Sequence, residues 1–309
     1  MRGDVASVPV RQHLEVQRRR PSWCSSAIMV CAAALAIAAP SAAQELSIEL
    51  RSRGTQPGDA VAVTITTPSS VTALTVTAFA ARWPTYKVDD TTWRALVGID
   101  LERKPGPYVL SVATSGVQAL TASRAFTVEP KQFPRRVLKV APDFVNPPPA
   151  QHARIEKDSE FMRSVYAHSA SEPEWRGGLT RPVTDPANSS FGTRSVFNGE
   201  PRSPHSGTDF LSPSGTPVHA PAAGRVLAAR DLFFTGNTVV LDHGLGVYSM
   251  LAHLSRIDVR EGQTIAQGES VGLVGATGRV TGAHLHWGLR VGAARVDPLS
   301  VLALFDTAK

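Results

Sequence analysis

The sequence predicts a mostly β protein, built as an N-terminal immunoglobulin-like sandwich, a short helical connector and a C-terminal antiparallel β domain. Three observations carry this expectation. Short β-branched or alternating runs recur between Glu45 and Val128 with turn residues between them, one stretch with helical apolar spacing covers Gln151 to Ala167, and glycines after Leu179 come too often for long helices. The boundaries that follow are 1–43 for a leader, 44–130 for the sandwich, 131–178 for the linker with its helix and 179–309 for the C-terminal domain.

In the leader, Arg18-Arg19-Arg20 precede an apolar stretch from about Ala27 to Ala39. Pro40-Ser41-Ala42-Ala43 then places small residues where a signal peptidase reads. The apolar stretch is too short for a membrane span, so the expectation is export, a mature N-terminus near Gln44 and no stable span once the leader is cleaved. Cleavage also removes Cys24 and Cys31, the only two cysteines. A chain without them has no disulfide, thiolate ligand or cysteine nucleophile. The net charge of +6 includes five arginines and two acidic residues of the leader, leaving +3. That mild balance carries little information about partners, and the lack of a basic run with interleaved aromatics argues against nucleic acid. At 309 residues and 42% hydrophobic content, the chain can fill two ordinary cores.

The sandwich rests on the runs Val61 to Ile65, Leu74 to Phe79, Ala95 to Ile99 and Tyr108 to Val112. Gln56-Pro57-Gly58-Asp59 and Lys104-Pro105-Gly106-Pro107 supply turns between them. Several short strands in one such segment suit an immunoglobulin-like fold. Its expected role is spacer, binding module or lid over a groove. Phe133 to Pro149, ending in Asn146-Pro147-Pro148-Pro149, predicts an extended, stiff crossing. Ile155, Phe161, Met162, Val165 and Tyr166 then give the helix its apolar stripe. Gly262, Gly268, Gly272 and Gly275 punctuate the C-terminal strands.

Two patterns in that last region carry chemistry. His205-Ser206-Gly207-Thr208-Asp209 and His284-Leu285-His286 together supply three metal-ligand side chains and leave one histidine over. Catalytic zinc takes three protein ligands and keeps its fourth position for water or substrate. In a strand, His284 and His286 share one face while Leu285 turns to the other, so one imidazole can bind metal and its neighbour can sit beside it. Gly275, Gly278 and Gly282 precede the pair, the composition of a loop that lets backbone approach closely.

These residues resemble the lysostaphin-type zinc endopeptidases of bacterial cell walls, the M23 or LytM-domain peptidases. The resemblance covers about Phe191 to Leu302 and runs through Phe191-Gly192-Thr193-Arg194, His205 to Asp209, Ser214 to Val218 and Ala223 to Val226. It continues through Gly236 to Gly244, Ala252-His253-Leu254, Gly272 to Gly282, His284 to His286 and Asp297-Pro298-Leu299. It implies zinc ligands at His205, Asp209 and His286, and catalytic histidines at His253 and His284. One of the two would accept the proton of the attacking water and the other would face the oxyanion, with His284 the better base candidate. The chain departs from the family pattern at Ala283, Trp287 and Gly288, and has Leu251 and Phe197 where members often carry tyrosine.

The function this implies is an exported, periplasmic or wall-associated zinc metalloendopeptidase acting on peptide cross-links or stem peptides of peptidoglycan. Two alternatives stay open: a zinc carboxypeptidase or amidase on the same polymer, and a non-catalytic LytM-type activator of another hydrolase. A protein regulator is compatible with each. The other histidines have structural explanations. His219 falls in a short strand-like run, His243 in a turn before Gly244, and His152 and His168 flank the helix as solvated residues.

Overall fold

The computed structural model describes residues 46–115, 119–139, 145–188 and 191–305. The leader, with Cys24 and Cys31, lies outside the described residues. The described N-terminal part folds into eight strands: β1 (Ser47–Ser52), β2 (Ala60–Thr66), β3 (Ala73–Ala78), β4 (Ala81–Trp83), β5 (Thr85–Lys87), β6 (Thr92–Gly98), β7 (Gly106–Ser115) and β8 (Thr121–Val128). They form two four-stranded sheets, ordered β1-β2-β6-β5 and β4-β3-β7-β8, the strand order of an immunoglobulin-like sandwich. Alternation decides which residues fill it. Val63 and Ile65 of β2, Val76 and Ala78 of β3 and Leu110 and Val112 of β7 are buried, with polar or half-buried neighbours between them.

The connector is not the free extended crossing that its prolines predict. Residues Arg135–Leu138 form β9, which pairs in parallel with β11 farther along the chain. The helix α1 spans Pro149–Val165, beginning and ending two residues earlier than its apolar spacing suggests. Pro149 at its first position has no N–H to leave unsatisfied, which explains the start. Only Val165 of α1 is buried, against Ala228 and Val240. Polar ties complete the docking: Arg154 pairs with Asp231 at 2.6 Å, and Asp158 accepts the Phe233 N–H at 2.8 Å.

Beyond α1 come β10 (Ala187–Asn188), β11 (Arg194–Phe197) and β12 (Glu200–Pro201), the last two closing a small sheet of order β12-β11-β9. The main sheet is built from β10 together with β13 (Gly207–Phe210), β14 (Pro217–His219), β15 (Gly224–Leu232), β16 (Gly236–Asp242), β17 (Val247–Ile257), β18 (Thr264–Ile265), β19 (Ser270–Val274), β20 (Leu285–Val291) and β21 (Ala294–Val296). Its path is β10-β13-β20-β17-β16-β15-β18, with β19 joining β14 to β17 and β21 edging β20. All of these pairings are antiparallel, as the sequence predicts. A short helix α2 (Pro298–Phe305) follows.

The sandwich packs directly on this sheet, and a single apolar cluster runs through both. A Cβ on Gly98 of β6 would lie 2.7 Å from Ala294 Cβ of β21, so the two strands meet at a distance that only glycine permits. Around that contact Arg295 grips both Asp100 oxygens, at 2.9 and 3.1 Å. The Ala60 N–H donates to Ser300 Oγ at 2.8 Å, and the Asp297 N–H to the Gly58 carbonyl at 2.7 Å. Among the described residues, no helix is long and apolar enough to cross a membrane.

Candidate metal centre

The centre begins as a strand pair. β13 and β20 run antiparallel in the register Gly207↔Gly288, Thr208↔Trp287, Asp209↔His286 and Phe210↔Leu285. Opposed residues share a face, so Asp209 and His286 point the same way, while Trp287, Leu285, Phe210 and Thr208 are wholly buried on or beside the opposite face. Two residues along, Gly207 and Gly288 leave the metal-side face open. A Cβ on Gly207 would sit 2.5 Å from His286 Cε1 and 2.6 Å from its Nε2, so the glycine of the His-Ser-Gly-Thr-Asp pattern makes room for the ring.

His205 enters from the loop before β13. Its backbone is held on both sides by the 192–193 segment, through Gly192 N–H to the His205 carbonyl at 2.7 Å and His205 N–H to the Thr193 carbonyl at 3.1 Å. Its Nε2 then lies 2.9 Å from His286 Nδ1 and 3.1 Å from Asp209 Oδ1, and Asp209 Oδ1 lies 3.0 Å from His286 Nδ1. Three donor atoms thus converge in a nearly equilateral triangle. Its edges approach the ~3.3 Å edge of a tetrahedron with metal bonds of about 2.0–2.1 Å. The residues present fit a divalent cation of zinc's preference: two imidazoles and one carboxylate, with no thiolate. Burial works to raise the Asp209 carboxyl, but hydrogen bonds from His205 and His286 hold it well below the usual carboxylate range. Burial lowers His286, which keeps the imidazole neutral as a ligand must be.

His253 and His284 complete the cluster. His253 follows Ala252, the partner of His286 across β17 and β20, and has φ of 65°, in the left-handed region that bulky residues rarely occupy. That turn, with the Thr235 carbonyl accepting its N–H at 2.9 Å, directs the ring into the site, where regular alternation would take it to the far face. Ring centroids of His253 and His284 are 4.8 Å apart, and His284 Nε2 is 3.9 Å from Asp209 Oδ1. His253 and His284 are oriented in the same way. His253 Nδ1 donates to the Thr277 carbonyl and His284 Nδ1 to the Gly282 carbonyl, each at 2.9 Å. A carbonyl only accepts, so the proton of each neutral ring sits on Nδ1 and Nε2 is the acceptor. Burial pushes His253 down to about 3.

Behind the ligand strand lies a polar chain. Trp287 Nε1 donates to Ser249 Oγ at 3.1 Å, Ser249 Oγ meets His243 Nε2 at 2.9 Å, and His243 Nδ1 donates to the Ala223 carbonyl at 2.8 Å. Thr208 Oγ1 donates to Asp297 Oδ1 at 3.1 Å, and Asp297 Oδ2 meets Arg53 of the sandwich region at 2.9 Å. His243 therefore has the hydrogen-bonding role expected of it. His219, His152 and His168 are exposed and away from the centre.

The five residues His205, Asp209, His253, His284 and His286 line one groove of about 430 Å³. Its wall also takes Arg136, Ser195, Phe197, Arg202 and Arg279, residues that sequence reasoning did not single out as groove residues, apart from Phe197. Lone arginines between turns carry no signal of their own, and β9 comes to β11 only through a long-range pairing. Among the described residues, none of the sandwich strands lines this groove, so the idea of the sandwich as its lid gains no support from the lining. Leu251 is buried beside Trp287 on the far face, and Phe197 reaches the groove without a hydroxyl.

Two expected results arise here. Gly207→Ala should displace the His286 ring and lower metal affinity by about tenfold or more, whereas Gly177→Ala, with nothing within 4 Å of its Cβ, should not. Metal titration of both variants checks this, and equal affinities would contradict the close-approach argument. The second concerns pH. His243 is fully buried, which pushes it down to about 4, from an unfolded value near about 6.5. Between those values the unfolded chain takes a proton that the folded chain refuses, so stability is complete above about 6.5 and falls as pH drops toward about 4. The full loss is on the order of 3 kcal/mol. Urea unfolding at about pH 7.5 and about pH 4.5 should show a smaller acid penalty in His243→Gln than in the parent chain; an equal penalty would place it elsewhere.

Comparison with known proteins agrees with this geometry. The model of peptidase family M23 matches residues 203–298. The chain is 34% identical over 145 residues to the peptidoglycan DD-endopeptidase ShyA of Vibrio cholerae, covering 47% of this chain and 31% of ShyA. It is 42% identical over 97 residues to the DD-carboxypeptidase/endopeptidase Mpg of Neisseria meningitidis, covering 31% of this chain and 22% of Mpg. The chain thus spans a third or less of the length of these curated relatives. A Pseudomonas aeruginosa crystal structure described as peptidase M23 aligns with a TM-score of 0.62 at 33% identity, covering 80% of this chain and 95% of that one. With an alignment that takes in nearly the whole of a solved structure at 33% identity, and with the family model matching the stretch that contains the convergent histidines and aspartate, the chain belongs to peptidase family M23.

Proposed function

We propose that this protein is an exported zinc metalloendopeptidase that hydrolyses peptide cross-links or stem peptides of bacterial peptidoglycan. The observation that carries this reading is the convergence of His205, Asp209 and His286 on one point, with two further histidines presenting Nε2 in the same groove. His205, Asp209 and His286 would hold the zinc. When bound, zinc polarises the scissile carbonyl and makes hydroxide available near neutral pH. His284, more exposed to the groove than the buried His253, takes the water proton at Nε2 and returns it to the leaving amine. His253, fixed by the Thr235 and Thr277 carbonyls, stands on the side where the oxyanion develops.

The relatives' names support the polymer, since ShyA is named for peptidoglycan endopeptidase activity and Mpg for carboxypeptidase as well as endopeptidase activity. Export is supported by the basic, apolar and small-residue zones of residues 1–43, and places the enzyme in the periplasm or at the wall. The test is incubation of purified sacculi with the zinc-loaded protein, the chelated protein and the chelated protein with zinc restored, followed by mass spectrometry of released fragments. Zinc-dependent release of uncross-linked muropeptides is the expected result. Trimming of terminal residues alone would indicate a carboxypeptidase, and no zinc-dependent change would favour a non-catalytic activator.

A further inference from the structure

The groove around the metal centre is charged on one wall. Arg136, Arg202 and Arg279 line it, and the one carboxylate among its described lining residues, Asp209, is engaged by His205 and His286. Arg279 is half-buried, with its guanidinium carbon 4.4 Å from the Phe234 ring centroid and 5.8 Å from that of Phe197. This packing holds the guanidinium plane as part of the wall. Arg202 pairs one terminal nitrogen with Glu200 at 2.8 Å, and its Nε is buried without a hydrogen-bond partner among the described residues. A buried unsatisfied donor on a cation costs free energy until an acceptor reaches it. Arg136 uses its Nε on Ser195 Oγ at 2.9 Å at the outer part of the same wall.

Like charges on one wall repel, and that repulsion is felt here: burial, then the charge on Arg202, lowers Arg279. An anion lying against both guanidinium groups relieves the repulsion and gains charge-assisted, in favourable cases bidentate, hydrogen bonds. A peptide placed over His205, Asp209 and His286 lies along this wall, because the same groove contains both. Wall peptides carry free carboxylates at chain ends and on acidic residues, so the chemistry matches.

We propose that Arg202 and Arg279 are specificity-determining residues that recognise a free carboxylate on the substrate peptide near the scissile bond, with Arg136 as an outer contact. The proposal rests on the reading of the groove as a wall-peptide site. It distinguishes a charged substrate from its amidated counterpart, which has the same shape and lacks the charge.

Two probes test it: muropeptide dimers isolated from sacculi, and the same dimers with their free carboxylates converted to carboxamides. The zinc-loaded full chain should lose about tenfold or more in kcat/KM on the amidated dimer, mainly through KM. R202Q and R279Q should lose a similar factor on the carboxylate dimer and little further on the amidated one. R279K, which keeps the charge without the planar fork, should fall between, and it carries the test with R202Q if R279Q does not fold. Equal turnover of both dimers by the parent chain, or an equal loss on both dimers in the variants, would overturn the proposal. Calorimetric binding of the same dimers separates this failure from failure of the endopeptidase reading. If neither dimer is hydrolysed but the carboxylate form binds at least tenfold more tightly, and only with both arginines present, the recognition proposal stands and the hydrolytic reading falls. Hydrolysis without carboxylate preference has the opposite meaning, and neither hydrolysis nor preference sinks both.

Discussion

His286→Ala is expected to lose bound metal and activity together, whereas His284→Ala, two residues away and just ahead of the same strand, should keep its metal and lose turnover. His286 Nδ1 is one corner of the donor triangle, 2.9 Å from His205 Nε2 and 3.0 Å from Asp209 Oδ1. Without it, two protein donors remain, one fewer than a catalytic zinc site uses. His284 contributes no corner. Its Nε2 stands 3.9 Å from Asp209 Oδ1, and its Nδ1 is tied to the Gly282 carbonyl at 2.9 Å. Its removal leaves all three donor atoms in place and takes away one acceptor for the water proton, so the rate should fall by about 10²-fold or more. Metal analysis and turnover on the same preparations decide the matter. Metal loss in the His284 variant as complete as in the His286 variant, or near-normal turnover in it, would refute the division of roles.

Trp287→Ala should produce the largest loss of stability among substitutions near the centre, about 3–5 kcal/mol. The side chain is 0% exposed, packs with Phe210 at a centroid distance of 6.3 Å and donates to Ser249 Oγ at 3.1 Å. Truncation opens a cavity under the strand that carries His286 and leaves the Ser249–His243 pair without its third member. Against a domain stability of about 5–15 kcal/mol this is a large fraction, corresponding to a fall of roughly 10 °C in melting temperature. Trp287→Phe keeps most of the packing and removes the N–H, so its cost should be nearer 1–2 kcal/mol. Denaturant and thermal unfolding of the two variants measure the difference. A cost below about 1 kcal/mol for the alanine variant would mean that the strand is held from elsewhere.

Much of this was legible in the chain before folding. Period-two alternation in Val61 to Ile65 and Tyr108 to Val112 identified strands, because a half-buried strand must send successive side chains to opposite faces. The same rule put His284 and His286 on one side with Leu285 on the other, and the structure places Leu285 in the core. The helix after the connector was legible from its apolar spacing, but its start at Pro149 was not, and the short helix that begins at Pro298 was not expected; a residue without an N–H loses nothing at a first turn. The His-Ser-Gly-Thr-Asp and His-Leu-His patterns are short and local, and their side chains suffice to name the candidate ligands.

What the sequence could not determine depends on pairs far apart in the chain. The parallel pairing of Arg135 with Arg194 turns the connector into a groove wall, and no local composition encodes a partner at that distance. Arg279, Arg202 and Arg136 look like ordinary surface arginines until the fold gathers them around one groove. His253 would face away from the site by strand alternation, and a left-handed φ of 65° with long-range hydrogen bonds to the Thr235 and Thr277 carbonyls turns it in. The expected boundary between sandwich and C-terminal domain likewise says nothing of their shared core, which exists because Gly98 admits Ala294 and because Arg295 reaches Asp100. The sequence by itself determined the local periods, the turns and which side chains are candidate metal ligands, since these follow from each residue and its near neighbours. The tertiary structure alone decided their convergence, their orientation and the charge around them, because long-range contacts and burial set those properties.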